Sequence, residues 1–414
     1  MDSVFIQGMH RGDTKFGVMT LRSRRIFVIH GSHNLTDHSF NGDGLVAWGF
    51  INELANRGHQ VYVATDKLDV RGPVPPNLTL AEFPRRHRNG VRHYLSYMRR
   101  ARALYRDLAA RDGIDVVHQM NPVVRGLSLA LTGLNVPVVL GTYVGDWVAS
   151  PRAPGYKTAT LRRRCEACVK LALDALQQRS AAAIVLATPH ALGRVPLMFD
   201  IAGRVRFMHH GVDARLYHPT RRETDPPPRA KAILYVGMLI AQKGIMTLAD
   251  AFARVVVREP DSRLVVVGIG PDAKHMKARL EALNVADRVE FVGLATRQEV
   301  AGWLRACAVL CAPSFGEPYG QNVLEAMATA KPVVATNEGG HPYLLDLAGG
   351  LRTSPGDSAA LADALTAVLS DPARAHQMGA HNRAVIERRN TWSCVTDELE
   401  RIYERAIAEH AAKQ

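Results

Sequence analysis

The sequence lacks any long apolar run. No window of its 414 residues approaches the ~20 consecutive apolar residues that a membrane-spanning helix needs. The first 25 residues also lack the apolar centre of a secretory signal peptide. We therefore expect residues 1–23 to form a disordered leader, and no membrane-spanning helix in the sequence.

Cysteine is scarce and is not arranged in pairs that suggest disulfides. The five cysteines are Cys165, Cys168, Cys307, Cys311 and Cys394, an odd and scattered set. This usage fits a reducing cytoplasm better than a disulfide framework. Cys165 and Cys168 form a C-x-x-C pair inside a helical run. Because no second pair follows, two ordinary thiols are favoured over a zinc or redox site.

Acidic residues are outnumbered, and the formal net charge is +13. The basic excess is concentrated in 85–111, which carries nine arginines, and in the triplet 162–164. Tyr94, Tyr97 and Tyr105 are spaced like the buried face of a helix, and no nucleic-acid motif is present, so we expect no nucleic-acid partner. Two interpretations stay open: a solvated helix face, or a face that attracts an anionic acceptor or an anionic membrane surface.

The sequence also has no tight G-x-G-x-x-G turn after its first strand, so NAD binding is not indicated. An apolar strand at 24–30 leads into a polar loop that ends near Gly44, and an amphipathic helix closed by Gly58 follows. Strands and helices then alternate, which predicts parallel sheets covered on both faces. The length favours two domains. We predict domains at 24–217 and 230–392, an extended Pro-rich linker at 218–229, and a final helix at 393–414.

The most informative segment runs from 312 to 345. Gly316, Pro318 and Gly320 surround Glu317, so this glutamate is predicted to lie in a loop. A helical pattern then begins, which puts Glu325 in its first turns. The free N–H groups at the start of such a helix suit an anionic group such as phosphate. The residues expected to supply them are Tyr319, Gly320, Gln321 and Asn322.

Two carboxylates beside an anion site are best explained by a ligand that also carries hydroxyl groups. A nucleotide-sugar has this character, because its diphosphate lies between two sugars. Glu325 would then hold the ribose hydroxyls, and Glu317 the hydroxyls of the transferred sugar. The alternative is that both are solvated glutamates with no ligand.

The E-x7-E spacing of Glu317 and Glu325 lies between an apolar strand and an EAMA helix, and PVVAT and a Gly-Gly turn follow. This pattern resembles the donor-site motif of the family-4 retaining glycosyltransferases. The resemblance implies the GT-B fold: two doubly wound Rossmann-like domains facing across a cleft, with the C-terminal helix crossing back to the first domain. It also implies that Lys243 neutralises a diphosphate and that Val292 and Gly293 read the base.

The chain departs from the family pattern at several positions. Met238, after Gly237, stands where the family has an arginine beside the diphosphate. His210 replaces an asparagine, and Tyr343 replaces an acidic residue after the Gly-Gly pair. The family also often has a histidine at the end of a first-domain strand, and this chain has none there. We expect Tyr143 or Asp146 to take its place.

Two further first-domain features are weaker candidates. In the family resembled, a Gly pair in this loop lies near the donor phosphates and the acceptor. Here Asp43 interrupts the pair, so Gly42, Asp43 and Gly44 either belong to that loop or are ordinary turn residues. His118 is expected at a strand end on the ligand side of the sheet, where it is either structural or part of the site.

The resemblance implies transfer of a sugar, with retention, from a nucleotide-sugar that we expect to be UDP-linked to an acceptor hydroxyl. Glycans, glycolipids, the cell envelope and glycosylated metabolites are the products considered. No metal or other cofactor is expected. The expected location is the cytoplasm, either free or peripheral at the inner membrane face. The alternatives are a nucleotide-sugar epimerase of the same fold and a non-catalytic nucleotide-sugar-binding protein.

Overall fold

A computed structural model describes residues 22–38, 42–84, 90–120, 126–144, 161–194 and 202–414. Its strands form two sheets, and all strand pairs within them are parallel. The first sheet has seven strands in the order β3-β2-β1-β4-β5-β6-β7. Their bounds are β1 (Arg25–Thr36), β2 (Gln60–Asp69), β3 (Leu78–Glu82), β4 (Val116–Met120), β5 (Val138–Tyr143), β6 (Ala183–Leu186) and β7 (Val205–Phe207).

The second sheet has six strands in the order β10-β9-β8-β11-β12-β13. The bounds are β8 (Ala232–Val236), β9 (Arg263–Val267), β10 (Val289–Gly293), β11 (Val309–Ala312), β12 (Val333–Thr336) and β13 (Gly350–Thr353). Neighbouring residues of a strand face opposite sides of its sheet. Accordingly, Leu234 and Val265 belong to one buried cluster, whereas Ile233 and Leu264 belong to another. Apolar layers thus cover both faces, as the continuous apolar strands predict.

Helices connect the strands and cover the sheets. Their bounds are α1 (Gly42–Asn56), α2 (Gly90–Arg111), α3 (Leu161–Ser180), α4 (Ile245–Arg258), α5 (Ala273–Ala282), α6 (Arg297–Ala306), α7 (Gln321–Ala328), α8 (His341–Leu344), α9 (Ser358–Leu369), α10 (Pro372–Arg389) and α11 (Trp392–Ala411). Among the residues that the structure describes, none of these helices combines the length and the apolar character needed to cross a membrane. The two doubly wound α/β units predicted from the sequence are confirmed.

The last helix, α11, returns to the first unit. Its apolar residues Val395, Leu399 and Tyr403 belong to the same buried cluster as Ile51 and Leu54 of α1. Ion pairs border this contact: Arg57 lies 2.6 Å from Asp397 and 2.7 Å from Glu400, and Arg24 lies 2.5 Å from Glu404. The predicted crossing of the C-terminal helix is confirmed.

The chain passes twice from one sheet unit to the other, and the two connecting segments are hydrogen-bonded to each other. The N–H of Val212 donates to the carbonyl of Asn390 over 2.8 Å, and Nδ2 of Asn390 donates to the carbonyl of His210 over 3.2 Å. The indole of Trp392 lies between two glycines, because a Cβ built on Gly49 or on Gly211 would come within 2.1 or 2.3 Å of it. The two connecting segments therefore meet at the Trp392 ring.

One expectation about a connecting segment is wrong. The polar loop predicted from His30 to Gly44 is shorter, since β1 continues to Thr36 and pairs with the end of β2 after an irregularity that follows His30. The prediction relied on the many polar residues of this segment. The structure nevertheless buries Leu35 and Thr36.

The predicted Pro-rich linker is held by a buried ion pair. Asp225 accepts two 2.6 Å hydrogen bonds from Arg305 of α6, and the two side chains are almost fully buried. The Arg305 guanidinium lowers the pKa of Asp225 to about 2. This ion pair fixes the linker to the second sheet unit, and composition alone gave no sign of it.

Candidate active site

Glu317 lies in a loop whose backbone touches the Gly-Gly turn. The N–H of Gly340 donates to the carbonyl of Glu317 over 2.7 Å. A Cβ on Gly339 would lie 2.1 Å from the same carbonyl oxygen, and the φ of Gly339 is 69°. Only glycine adopts this conformation readily and allows so close an approach. The Gly-Gly turn therefore supports the Glu317 loop from behind.

Lys243 reaches the same loop from the other side. It ends a short 3-10 helix, Ala241–Lys243, and Gly244 follows with φ 71°. A Cβ on Gly244 would lie 2.0 Å from the carbonyl oxygen of Pro313, so glycine lets this helix approach the end of β11. The ammonium of Lys243 lies 2.6 Å from Oε2 of Glu317. The two residues predicted to be catalytic are thus in direct contact.

Glu325 lies one turn into α7. It borders a cavity of ≈ 250 Å³ between the two sheet units. Burial raises the pKa of Glu325 to about 7, while the Arg297 charge and a hydrogen bond with Tyr217 act in the opposite direction. This pKa lies well above the ordinary range of a glutamate.

The cavity beside Glu325 is polar and lined from both units, by Asp37, Trp48 and Asn52 of the first and by Arg297, Gln321 and Glu325 of the second. Within the described part of the chain, Nε of Arg297 and Oε1 of Gln321 are buried with no hydrogen-bond partner. Buried polar groups normally have partners, so these two atoms suit a polar ligand in the cavity.

Sequence reasoning missed Arg297 and Tyr217. A local signal for Arg297 existed, because it follows the N-cap Thr296 of a capping box with Glu299. This puts Arg297 at the first position of α6, four residues after Gly293. Tyr217 gave no comparable signal, since its proximity to Glu325 depends on the fold.

The other residues at the start of α7 are anchored by their side chains. The Tyr319 hydroxyl accepts a 2.7 Å hydrogen bond from the N–H of His210. Nε2 of Gln321 donates to the carbonyl of Gly211 over 3.1 Å, and Nδ2 of Asn322 donates to that of Val236 over 3.0 Å. Gly320 is the N-cap, with φ 107°. These contacts fix the helix start, and its use as an anion site stays a prediction.

The positions predicted to face the diphosphate and the base lie at the carboxyl ends of neighbouring strands. Gly237 donates its N–H to the carbonyl of Val267 over 3.0 Å, and Gly268 donates to the carbonyl of Gly293 over 2.8 Å. The Met238 side chain is 58% exposed. Val292 precedes Gly293 in β10. The structure therefore brings all four predicted positions to one edge of the second sheet.

The candidate site residues of the first domain do not lie where the sequence predicted. His118 is not at a strand end but in the middle of β4, 1% exposed. Its Nε2 lies 2.9 Å from the carbonyl of Gly141, and its Nδ1 lies 2.6 Å from the hydroxyl of Tyr403. Burial lowers its pKa to about 4. Since both ring nitrogens are used inside the protein, this geometry fits a structural role.

Tyr143 is likewise fully buried, and its hydroxyl accepts a 3.0 Å hydrogen bond from Gln177, so it does not stand in for a cleft histidine. Gly42, Asp43 and Gly44 form the first turn of α1 instead of a loop. A Cβ on Gly44 would lie 1.9 Å from the carbonyl oxygen of Asn34, which gives this glycine a packing role. Asp146 lies outside the described residues.

Two departures from the family pattern have local explanations. Nε2 of His210 lies 2.7 Å from the hydroxyl of Thr142, and the His210 ring packs on Tyr319 with centroids 4.2 Å apart. Tyr343 stacks on His209, with centroids 4.9 Å apart and an angle of 22° between the rings. The side chains at positions 210 and 343 thus both take part in aromatic contacts between the two units.

Cys168 is exposed, while Cys307 and Cys311 are buried. The side chain of Cys165 lies outside what the structure describes, as do those of Arg162, Arg163 and Arg164. Among the described residues there is no group of histidine, cysteine, aspartate and glutamate side chains that could hold a metal ion.

Two family models match adjacent parts of the chain. The model described as "Glycosyltransferase Family 4" matches residues 40–216. The model described as "Glycosyl transferases group 1" matches residues 218–385 and so includes Lys243, Glu317 and Glu325. The chain belongs to the family-4 glycosyltransferases. The family resemblance inferred from the E-x7-E segment is confirmed.

Similar proteins occur in several bacteria. The chain is 31% identical over 223 residues to a D-inositol 3-phosphate glycosyltransferase of Corynebacterium glutamicum, which is 50% of this chain and 52% of that protein. It is 34% identical over 212 residues to a phosphatidyl-myo-inositol mannosyltransferase of Mycobacterium tuberculosis, covering 49% and 54% of the two chains. The chain thus spans about half the length of the curated relatives it matches.

Solved structures support the fold over a larger part of the chain. Sucrose-phosphate synthase from Thermosynechococcus elongatus aligns with a TM-score of 0.72 and 22% identity, covering 93% of this chain and 100% of that one. Anabaena HepE, solved with UDP and glucose, aligns with a TM-score of 0.67 and 17% identity, covering 94% and 100%. At such identities the likeness is one of fold, and it confirms the expected GT-B architecture.

Proposed function

We propose that this protein is a retaining glycosyltransferase that moves a sugar from a nucleotide-sugar, most simply a UDP-sugar, to a hydroxyl of an anionic acceptor. The observation that carries the proposal is the contact between Lys243 and Glu317 at the start of α7. A cation for the diphosphate and a carboxylate for sugar hydroxyls lie side by side there. Membership of the family supports the same reaction class.

In this proposal the donor exchanges partners with the Lys243–Glu317 pair. The incoming diphosphate attracts the Lys243 ammonium, and the Glu317 carboxylate becomes free to accept hydrogen bonds from the transferred sugar. As the glycosidic bond breaks, negative charge collects on the leaving diphosphate. Lys243 and the amides at the start of α7 would stabilise that charge. The acceptor attacks from the same face, assisted by the leaving phosphate, with no metal or other cofactor.

The nucleoside end would occupy the cavity beside Glu325. The Glu325 carboxylate would accept hydrogen bonds from the ribose hydroxyls, and the unpartnered Nε of Arg297 and Oε1 of Gln321 are further polar groups for the ligand. The strand end at Val292 and Gly293 would contact the base. UDP is preferred because HepE, which has the same fold, was solved with UDP and glucose.

The proposed acceptor is anionic and hydroxyl-rich. Two relatives are named for inositol acceptors, one carrying a phosphate and the other a phosphatidyl group. The net charge of +13 fits either type. The matched segments cover only about half of those relatives, so the acceptor is proposed at the level of this chemical class.

Product analysis tests the proposal directly. The purified chain is incubated with UDP-, GDP- and ADP-sugars, with and without inositol 3-phosphate or phosphatidylinositol, and nucleoside diphosphate release is measured. Release that requires an acceptor, together with an α-linked product from an α-linked donor, supports retaining transfer. A change in the donor sugar without any acceptor would indicate an epimerase. Binding without turnover for every donor and acceptor would indicate a non-catalytic binding protein.

A further inference from the structure

His341 lies beside the Lys243–Glu317 pair without belonging to it. It is the first residue of α8, directly after the Gly-Gly turn, and its side chain is fully buried. Burial lowers its pKa to about 4, while the Glu317 charge acts in the opposite direction, so the ring is neutral near neutral pH. A Cβ on Gly320 would lie 2.9 Å from Cδ2 and 3.2 Å from Nε2 of the ring. One edge of the imidazole therefore packs against the N-cap of α7.

The hydrogen bonds of Thr336 determine which ring nitrogen of His341 carries the proton. Oγ1 of Thr336 lies 2.7 Å from the carbonyl oxygen of Ser314 and 3.2 Å from Nδ1 of His341. A threonine hydroxyl has one hydrogen, and a carbonyl oxygen can only accept. The hydroxyl therefore donates to Ser314 and accepts from the Nδ1–H of His341. In the neutral ring this leaves Nε2 as an acceptor.

These two contacts of His341 lie at opposite ends of one loop. The loop, residues 314–320, begins two residues after β11 and carries Glu317 in its middle; we call it the glutamate loop. Its first residue, Ser314, is linked to the ring through the threonine hydroxyl, and its last residue, Gly320, packs against the ring edge. The histidine therefore holds the glutamate loop at its start and at its end.

The start of the glutamate loop is also bound to the segment that carries Lys243. The N–H of Phe315 donates to the carbonyl of Gln242 over 2.8 Å, and Gln242 precedes Lys243 in the 3-10 helix Ala241–Lys243. A shift of the start of the loop would therefore change the distance between the ammonium of Lys243 and the carboxylate of Glu317.

The second ring nitrogen of His341 indicates that packing is not the only role of this side chain. Among the residues that the structure describes, Nε2 has no hydrogen-bond partner, although it is buried. A buried acceptor without a partner destabilises the folded state, and an apolar ring of similar shape would avoid that penalty. Departures from the most stable choice are expected at functional sites.

We propose that His341 is a positioning residue for Glu317. Its Nδ1–H fixes the start of the glutamate loop through Thr336, its ring edge fixes the end of the loop at Gly320, and the carboxylate between them is held in place for the transferred sugar. The inference rests on the proposed function, because it assigns the sugar to Glu317. Displacements of about 1 Å in an active site can lower a rate by ~10²-fold.

Three substitutions of His341 separate the roles of its two nitrogens. His341→Phe keeps a ring but no hydrogen bond, His341→Asn keeps an N–H donor near the position of Nδ1, and His341→Gln puts its amide near the position of Nε2. We expect the Phe and Gln variants to lower kcat by about 10- to 100-fold, with UDP affinity and melting temperature close to wild type. The Asn variant should restore most of kcat. His376→Phe, at an exposed position of α10, is the control and should behave like wild type.

Substitutions of Thr336 test whether the effect passes through its hydroxyl. Thr336→Val removes the hydroxyl and keeps the shape, so kcat should fall as in His341→Phe, whereas Thr336→Ser should keep most of kcat. The Thr336→Val and His341→Phe changes should not add, because both break the same chain of hydrogen bonds. Adding His341→Phe to Glu317→Gln should likewise lower kcat little further. If His341→Phe does not fold, Thr336→Val with Thr336→Ser provides the same test.

Two measurements need no sugar transfer. The ¹H–¹⁵N NMR spectrum of the His341 ring at neutral pH should show the Nδ1–H tautomer. Hydrogen exchange of the amides in 314–320 should be about tenfold faster in His341→Phe and in Thr336→Val than in wild type, because the loop opens more often.

Four results would overturn the proposal. They are an Nε2–H tautomer, unchanged exchange of the loop amides, full activity of His341→Phe, and rescue of kcat by Gln instead of Asn, which would indicate that Nε2 contacts the ligand. If wild type transfers no sugar from any donor while the tautomer and the loop exchange agree with expectation, the contacts of His341 are supported and the proposed function alone fails.

Discussion

The ammonium of Lys243 lies 2.6 Å from a carboxylate oxygen of Glu317, a residue 74 positions away in the sequence. Both side chains are largely buried. The glycines at 244, 339 and 340 allow the close backbone contacts that hold the two segments together. A charge pair of this kind, at the start of a helix, is ready to separate when an anionic ligand competes for the lysine.

Removing the cation should affect both binding and turnover. We expect Lys243→Met to lower the rate of transfer by ~10²–10³, because the leaving diphosphate loses a charge-assisted donor. It should also weaken UDP binding. The measurement is steady-state turnover together with calorimetric affinity for UDP, with Lys274→Met, an exposed lysine of α5, as the control. A fully active Lys243→Met enzyme would mean that the diphosphate lies elsewhere.

The carboxylate should affect turnover more than nucleotide binding. Glu317→Gln keeps the shape of the side chain but weakens its hydrogen bonds to sugar hydroxyls. UDP affinity should therefore stay within about fivefold of wild type, or ~1 kcal/mol, because UDP lacks the sugar that Glu317 is expected to contact, while kcat falls strongly. Isothermal titration with UDP and initial-rate measurements give the two numbers. An equal loss of UDP binding in Glu317→Gln and Glu325→Gln would contradict this division of roles.

The raised pKa of Glu325 predicts pH-dependent donor binding. The ionised carboxylate accepts hydrogen bonds from both ribose hydroxyls more strongly than the protonated acid does, and burial raises the pKa of Glu325 to about 7. Affinity for a UDP-sugar should thus be full above pH 8 and fall as the pH drops through 7, by up to tenfold per pH unit. A UDP-sugar is the appropriate probe because its phosphates do not titrate in this range.

Glu325→Gln provides the control for that pH profile. The glutamine is neutral at every pH, so its weaker binding should not change between pH 6 and 8. A ligand at ~100 times its dissociation constant stabilises the folded state by ~2.7 kcal/mol, which makes the shift in melting temperature a suitable readout. The same pH profile in wild type and Glu325→Gln would assign the dependence to another group.

The position of Met238 has room for the arginine that the family has there. Its side chain is 58% exposed, so Met238→Arg can be accommodated without displacing core atoms. A new charge-assisted hydrogen bond to the diphosphate is worth ~1.5–3 kcal/mol, which corresponds to roughly 10- to 100-fold tighter UDP binding. Turnover should slow if product release becomes limiting. Unchanged UDP affinity would favour a first-domain arginine that already neutralises the diphosphate.

The second unit was the more predictable half of the molecule. Apolar strands at 232–236, 309–312 and 333–336 have clear boundaries, and the glycines at 320, 339 and 340 mark sharp turns. Because Glu317 and Glu325 lie on one strand–loop–helix segment, local patterns suffice to bring them near each other. The family resemblance implied only that Lys243 neutralises a diphosphate, and its contact with Glu317 was not predicted.

The first unit was less predictable because its key contacts are distant in sequence. His118 is paired with Tyr403, 285 positions away, and no local pattern shows that α11 covers this strand. The linker ion pair between Asp225 and Arg305 is hidden for the same reason. The strand β7, of three residues, is too short for a periodic signal.

The last prediction concerns the Trp392 ring, where the two segments that connect the sheet units meet. A Cβ at Gly49 would lie 2.1 Å from the Trp392 ring, and such overpacking typically costs ~1–3 kcal/mol. That exceeds the ~1 kcal/mol gained when alanine replaces glycine in a helix, so Gly49→Ala should lower the melting temperature. Gly203→Ala, where a Cβ meets nothing within 4 Å, is the control.

A double-mutant cycle shows whether the tryptophan is responsible. Trp392→Phe removes the ring atoms nearest to Gly49, and should itself destabilise the protein by leaving a void. Combined with Gly49→Ala, the added methyl group would partly fill that void. The double variant should therefore be more stable than the sum of the two single effects predicts, by ~0.5–3 kcal/mol. Strict additivity in chemical unfolding would mean that Gly49 is constrained by something other than the Trp392 ring.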